Sequence, residues 1–117
     1  REAVHALRVA EPVPRYGPVA AWSDLGVYRV LSRLSRSDLM ELAAPAKGLT
    51  GELARTVEVY LDHAGHARET AEALGVHRQT LYYRLGRAEH LTGLDLADGE
   101  HRLLLHLGLK AAPLIHH

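Results

Sequence analysis

The feature that most limits how this chain can fold is a pair of short apolar stretches of helical spacing, split by one glycine. Residues 67–74 place Ala67, Thr70, Ala71 and Leu74 on one face, Gly75 follows, and a second stretch opens at Val76. Two short helices joined by a tight turn containing Gly describe a helix-turn-helix. Gly75 stands where the first helix must stop, and the left-handed backbone that stops it costs little only for Gly. Ala71 has to be small because the second helix crosses against it. Val76 is expected to pin the turn into the core, and Leu74, Leu81 and Leu85 to complete the apolar wedge beneath both helices. Ala71, Leu74, Gly75, Val76, Leu81 and Leu85 are therefore the expected motif core.

The residues outside the wedge carry the functional information. With Leu81, Leu85 and Ala88 (i, i+4, i+7) facing inward, Gln79, Tyr82, Tyr83 and Gly86 project the other way. Arg78 and Thr80 lie at the N-terminal end, and Arg84 and Arg87 flank the exposed face. From His77 to Ala88 there are three arginines and no acid. A helix-turn-helix lays its second helix in the major groove, N-terminal residues toward base edges. Arginine bidentate to guanine and glutamine to adenine are the usual direct-readout pairs. Tyrosine hydroxyls and further arginines suit phosphates, which position the protein without specifying sequence. The candidate DNA-binding residues are thus His77, Arg78, Gln79, Thr80, Tyr82, Tyr83, Arg84 and Arg87. An ordinary helical hairpin with a solvated arginine face shares the apolar spacing; the acid-free face joining Arg, Gln, Thr and Tyr favours DNA.

Composition narrows the alternatives. The 117 residues hold 14 Lys+Arg against 14 Asp+Glu, a formal net charge of zero. That balance speaks against a protein that coats nucleic acid by bulk charge. It leaves room for a locally basic helix, with the acids Glu52, Glu58, Glu69 and Glu72 on other helices, and predicts site-selective binding with weak non-specific affinity. Zero cysteines exclude disulfides, a thiolate nucleophile and Cys-ligated zinc. No run approaches the roughly 18 apolar residues of a membrane helix. The chain opens on Arg1, its only methionine is Met40, and no signal-peptide pattern is visible. The expectation is a piece of a longer, cytoplasmic protein.

Along the rest of the chain, residues 2–10 read as a short helix and 11–18, with three prolines, as a loop. Ser23-Asp24 is expected to open a helix through Leu34, with Leu25, Tyr28, Leu31 and Leu34 buried. A second short helix is expected after Ser37, carrying Leu39, Leu42 and Ala43, broken by Pro45 and Gly48. Thr50 should cap a helix over about 51–63 with a stripe of Leu53, Val57, Tyr60 and Leu61. The helix that Val76 enters should run to about Leu91 and stop at Thr92-Gly93, with Asp98 capping a last one over 99–112. No β-alternation of useful length occurs. The expected fold is all-α, a small helical bundle containing the helix-turn-helix, organised as an upstream tail or linker (1–20), a helical connector (21–49) and a DNA-binding domain (50–114).

Taken together, the runs Leu53–Asp62, Ala67–Leu85, Leu91–Leu96 and Arg102–Leu107 resemble the C-terminal DNA-binding domain of PucR/CdaR-type bacterial transcriptional regulators. Residues 22–34 resemble the connector before that domain, and residues 1–20 the tail of the upstream regulatory region. The resemblance implies that Arg78, Gln79, Thr80, Tyr82, Tyr83 and Arg84 lie on the recognition helix. It also implies double-stranded operator DNA as partner, a homodimer in the full-length protein, and a small-molecule effector bound by a part outside this chain. Two positions depart from the family's usual look: His66 stands where Asn is frequent, and Gly86 where a longer, often basic residue is common.

Other chemistry finds little support. His63 and His66 (i, i+3), joined by His101 or His106, lack a carboxylate pattern such as HExxH and read as surface histidines at a helix end. Glu69 with Glu72, and Asp95 with Asp98, read as solvated surface. Trp22 reads as a packing anchor. No enzyme, metal site or cofactor is expected. Leu103, Leu104, Leu105, Leu107, Leu109 and Leu114 cover more than one stripe, so the last helix should be buried on more than one side. The alternative to DNA readout is a helical interaction or dimerisation module using that helix.

Overall fold

The computed structural model describes residues 26–116; the expected helix over 2–10, the loop over 11–18, Trp22, and the cap at Ser23 lie outside them. Among the described residues there are six α-helices, two short 3-10 turns and no strand. The described residues divide into two compact units: residues 43–109, and residues 26–42 together with Lys110 onward.

In the smaller unit, α1 (Tyr28–Leu31) is followed by α2 (Arg36–Ala43). Tyr28, Leu31, Leu39, Ala111 and Leu114 form its buried cluster, with Leu34, Leu42 and Ile115 packed against it. The Lys110 ammonium lies 5.7 Å from the centre of the Tyr28 ring, so the cation is held over an aromatic face while its stem is buried. Over its described part, 26–34, the expected helix through Leu34 is not continuous. Gly26 takes a left-handed φ of +58°, which breaks helical geometry at little cost, and α1 is only one turn. The start of α2 also moves: Ser35, not Ser37, supplies the cap, its Oγ accepting the Asp38 N–H at 3.1 Å. Pro45 then falls in a 3-10 turn, Ala44–Ala46.

The larger unit is built from α3 (Gly51–Asp62), α4 (Ala67–Leu74), α5 (Arg78–Thr92) and α6 (Gly99–Ala111) as far as Leu109. Val57, Leu61, Ala71, Leu81, Leu85, Ala88, Leu96, Leu105 and Leu109 are among its buried core, with Leu53, Leu74 and Val76 partly buried around them. Thr50 occupies the expected cap position in extended backbone, but its side chain makes no capping bond. Asp98 does cap α6, its Oδ1 accepting the His101 N–H at 3.0 Å.

The expectation for α6 is corrected in part. Leu105 and Leu109 are buried, whereas Leu103 is 59% and Leu104 44% exposed. With 3.6 residues per turn, Leu105 and Leu109 (i, i+4) share the inward face, and the two preceding leucines are carried off it.

Candidate nucleic-acid interface

The turn between α4 and α5 is made by local chemistry. Gly75 adopts φ +67°, the Val76 N–H donates to the Ala71 carbonyl at 3.0 Å, and the Gly75 N–H donates to Glu72 O at 3.2 Å. These two bonds are the Schellman closure, and they satisfy carbonyls that a helix end otherwise leaves orphaned. Ala71 is buried, as its crossing position requires, and Thr70, fully buried, returns its hydroxyl to the His66 carbonyl at 2.7 Å.

The start of α5 is fixed by His77. Its backbone is extended and its ring Nδ1 accepts the Gln79 N–H at 3.2 Å. The sequence marks His77 as a candidate DNA contact; the structure gives its ring a capping bond at the foot of the same helix. Helix geometry then sorts the residues of α5. Leu81, Leu85 and Ala88 are buried, as expected from their spacing. Arg78, Gln79, Tyr82, Tyr83, Gly86 and Arg87 are exposed and Thr80 is half-buried, with Tyr83 71% and Tyr82 52% exposed.

Arg84 departs from the expectation that it flanks the open face. Its Nη2 lies 3.0 Å from Glu52 Oε1, its Nη1 donates to Thr56 Oγ1 at 3.4 Å, and its side chain is only 19% exposed. The three arginines of α5 thus comprise two exposed ones, Arg78 and Arg87, and one turned onto α3. This pairing spans 32 residues and leaves no local sequence signal beyond Glu52 and Thr56 sharing a helix face (i, i+4). The other acids near the motif pair locally, Glu69 with His66 at 3.8 Å and Glu72 with Arg68 at 3.7 Å.

The far end of α5 is equally determined. Gly93 stops it at φ +72°, Thr92 Oγ1 donates to Ala88 O at 2.8 Å, and Glu89 Oε2 accepts the Leu96 N–H at 2.8 Å. Arg102 of α6 donates Nε to the Leu96 carbonyl and Nη2 to the Tyr60 hydroxyl at 3.4 Å, its guanidinium 5.7 Å from the Tyr60 ring centre. A shallow cleft of about 300 Å³, bordered by Tyr82, Gly86, Glu89 and Arg102, lies beside α5.

The histidines have partners of their own. His63 Nδ1 donates to Val59 O at 2.8 Å, His101 Nδ1 accepts the Asp95 N–H at 2.8 Å, and His106 Nε2 pairs with Asp62 Oδ1 at 2.8 Å. Among the described residues no group of three or more His, Asp or Glu side chains is arranged to hold a metal. Among them, too, no helix is long and apolar enough to cross a membrane.

Two short helices locked by a Schellman turn, with the second presenting Arg, Gln and Tyr above a buried leucine stripe, define a helix-turn-helix of the DNA-binding kind. The chain belongs to the family of the PucR C-terminal helix-turn-helix domain, whose family model matches residues 53–111. Among curated relatives, the carbohydrate diacid regulator of Escherichia coli is 43% identical over 75 residues, 60% of this chain and 20% of that protein. The proline-responsive transcriptional activator PutR of Bacillus subtilis is 30% identical over 92% of this chain and 29% of that protein. The transcriptional activator PmfR of Paenarthrobacter nicotinovorans is 41% identical over 83% of this chain and 22% of that protein. The chain therefore spans less than a third of the length of these relatives. No solved structure matches it. The domain is a helix-turn-helix of that family.

Proposed function

We propose that this domain reads a two-fold-related operator as part of a homodimer, each α5 entering the major groove of one half-site. The half-sites would stand one helical turn apart, ~34 Å. The observation that carries the reading is the outer face of α5, where Arg78, Gln79, Tyr82, Tyr83 and Arg87 are exposed together and no acid interrupts them. Arg78 and Gln79, at the N-terminal end, are assigned to base edges. Thr80, Tyr82, Tyr83 and Arg87 are assigned to the phosphate backbone and groove walls, and His77 to capping the helix that presents them. A part of the longer protein outside this chain would bind a small-molecule effector. Access to the chromosome puts the protein in the cytoplasm, and no catalytic step is assigned to it.

The test is a binding titration with the duplex that the domain selects from a random library. Arg78→Ala should cost about 1–3 kcal/mol and relax preference at one position of the half-site. Unchanged affinity and preference would remove Arg78 from base readout. Affinity should fall linearly in log[salt], with a slope of about −0.9 per phosphate contacted.

A second reading, a protein-interaction module acting through α6, has one observation in its favour. Leu103 and Leu104 are adjacent and exposed. Charge substitution of both leucines that abolishes self-association while DNA binding by the monomer persists would assign them to dimerisation; loss of function with no DNA affinity in the starting domain would favour the second reading.

A further inference from the structure

Arg84 sits at the margin of the buried stripe of α5, three residues after Leu81 and four before Ala88. From that position its guanidinium spans one turn of α3, bonding Glu52 at one end of the turn and Thr56 at the other. Thr56 is 1% exposed, so its hydroxyl is a fixed point within the fold. Glu52, by contrast, is an exposed carboxylate paired with Arg84.

The apolar contacts of Leu81, Leu85 and Ala88 hold α5 down but are non-directional, and such contacts tolerate small rotations and slides of one helix on another. A guanidinium fork is directional: its donors lie in one plane at set angles, so satisfying two acceptors on α3 restricts both rotation and height of α5. Bidentate hydrogen bonds to base edges are sensitive to displacements on the order of 0.5 Å. Contacts to phosphate by a mobile long side chain are far less so.

We propose that Arg84 is a positioning residue that does not touch DNA, and that Glu52, outside the recognition helix, is through Arg84 a determinant of operator specificity. The proposal rests on the reading of α5 as the recognition helix. It makes a distinctive claim: breaking the pair costs discrimination between sequences, not general affinity for DNA.

The experiment compares two probes of equal length, the duplex selected by the wild-type domain and a scrambled duplex, each over a series of salt concentrations. Arg84→Ala and Glu52→Gln should each weaken binding to the selected duplex roughly tenfold, within the range of coupling between contacting residues. Neither should change affinity for the scrambled duplex or the salt slope. Arg84→Lys should fail to rescue, because an ammonium keeps the charge and loses the fork. The exchange of both residues (Glu52→Arg with Arg84→Glu) should recover part of the preference. Circular dichroism and thermal unfolding confirm that each variant is folded.

A salt slope shallower by about 0.9 for Arg84→Ala, with equal losses on both duplexes and rescue by lysine, would make Arg84 a phosphate contact and overturn the proposal. Wild-type behaviour of Glu52→Gln on both duplexes would overturn it as well. A wild-type domain that selects no duplex overturns the operator reading itself, and the proposal with it.

Discussion

A Cβ placed on Gly65 would stand 2.6 Å from Nη2 of Arg102. Gly65 also holds a left-handed φ of +75°, so two independent constraints act on one residue at the turn between α3 and α4. A shift of the guanidinium that relieved the clash would loosen its bonds to Leu96 O and the Tyr60 hydroxyl. Gly65→Ala should therefore destabilise the domain by about 2–3 kcal/mol, of which roughly 1–2 is the left-handed backbone alone. In an Arg102→Ala background the same substitution should cost only the backbone part. Denaturant unfolding of the four combinations measures the difference, and full additivity would show that the close approach carries no energy.

Gly86 presents the opposite case. A Cβ there would meet nothing within 4 Å, and the residue lies in the interior of a 15-residue helix. Gly86→Ala should stabilise by about 1 kcal/mol, read as a rise in Tm of roughly 4–8 °C for a domain of this size. Gly86→Arg should add a phosphate contact on the open face of α5 and steepen the salt dependence of DNA binding by about 0.9. A lowered Tm for the alanine variant would mean that the open space is filled by something the helix needs.

His77 is an unusual cap, since side chains of Ser, Thr, Asp and Asn are the preferred acceptors for first-turn N–H groups. His77→Ala should cost about 1 kcal/mol of stability. His77→Asp should recover or exceed the wild-type stability, because an anion at a helix N-terminus meets both the free N–H groups and the helix dipole. If α5 is the recognition helix, the same carboxylate at its foot should weaken binding to every duplex. Parallel Tm and affinity measurements would show stability and binding moving in opposite directions; if both fell, the capping role would be lost.

Asp98 supplies the acid-sensitive element. The His101 N–H that its carboxylate accepts holds its pKa below the ordinary aspartate range, helped by the Glu100 N–H and opposed by partial desolvation. A depressed folded-state pKa means stability that is fully present above the unfolded value of about 3.9 and is lost as pH falls through the lower folded value. Asp98→Asn keeps a capping oxygen but removes the titration. Its Tm should lie below wild type near neutrality and decline less steeply on the acid side, so that the two proteins converge once the wild-type carboxyl is protonated. An identical acid profile for the two proteins would remove Asp98 as a source of that sensitivity.

Much of the helix-turn-helix was legible because its determinants lie within a few residues of one another. The left-handed stops at Gly75 and Gly93, the Asp98 cap and the inward stripe of Leu81, Leu85 and Ala88 all follow from i, i+3 and i+4 chemistry. Where local signals competed, the reading slipped by a few residues. Ser35 outcompeted Ser37 as the cap of α2, and α1 ends at Leu31 although the apolar spacing ran on to Leu34.

What tertiary structure decided has one physical character: it depends on groups brought together from distant positions. Composition and periodicity place three arginines on α5, and only the approach of α3 shows that Arg84 faces Glu52 and Thr56. The leucine count of α6 says that the helix is apolar, yet only packing divides it into buried Leu105 and Leu109 and exposed Leu103 and Leu104. The sequence by itself thus determined the motif, its turn and the exposed face of its second helix, because hydrogen bonds and helical periodicity act over one or two turns. Which arginine turns inward and which leucines face water was decided by the fold, because burial and long-range ion pairs exist only once separate helices share a surface.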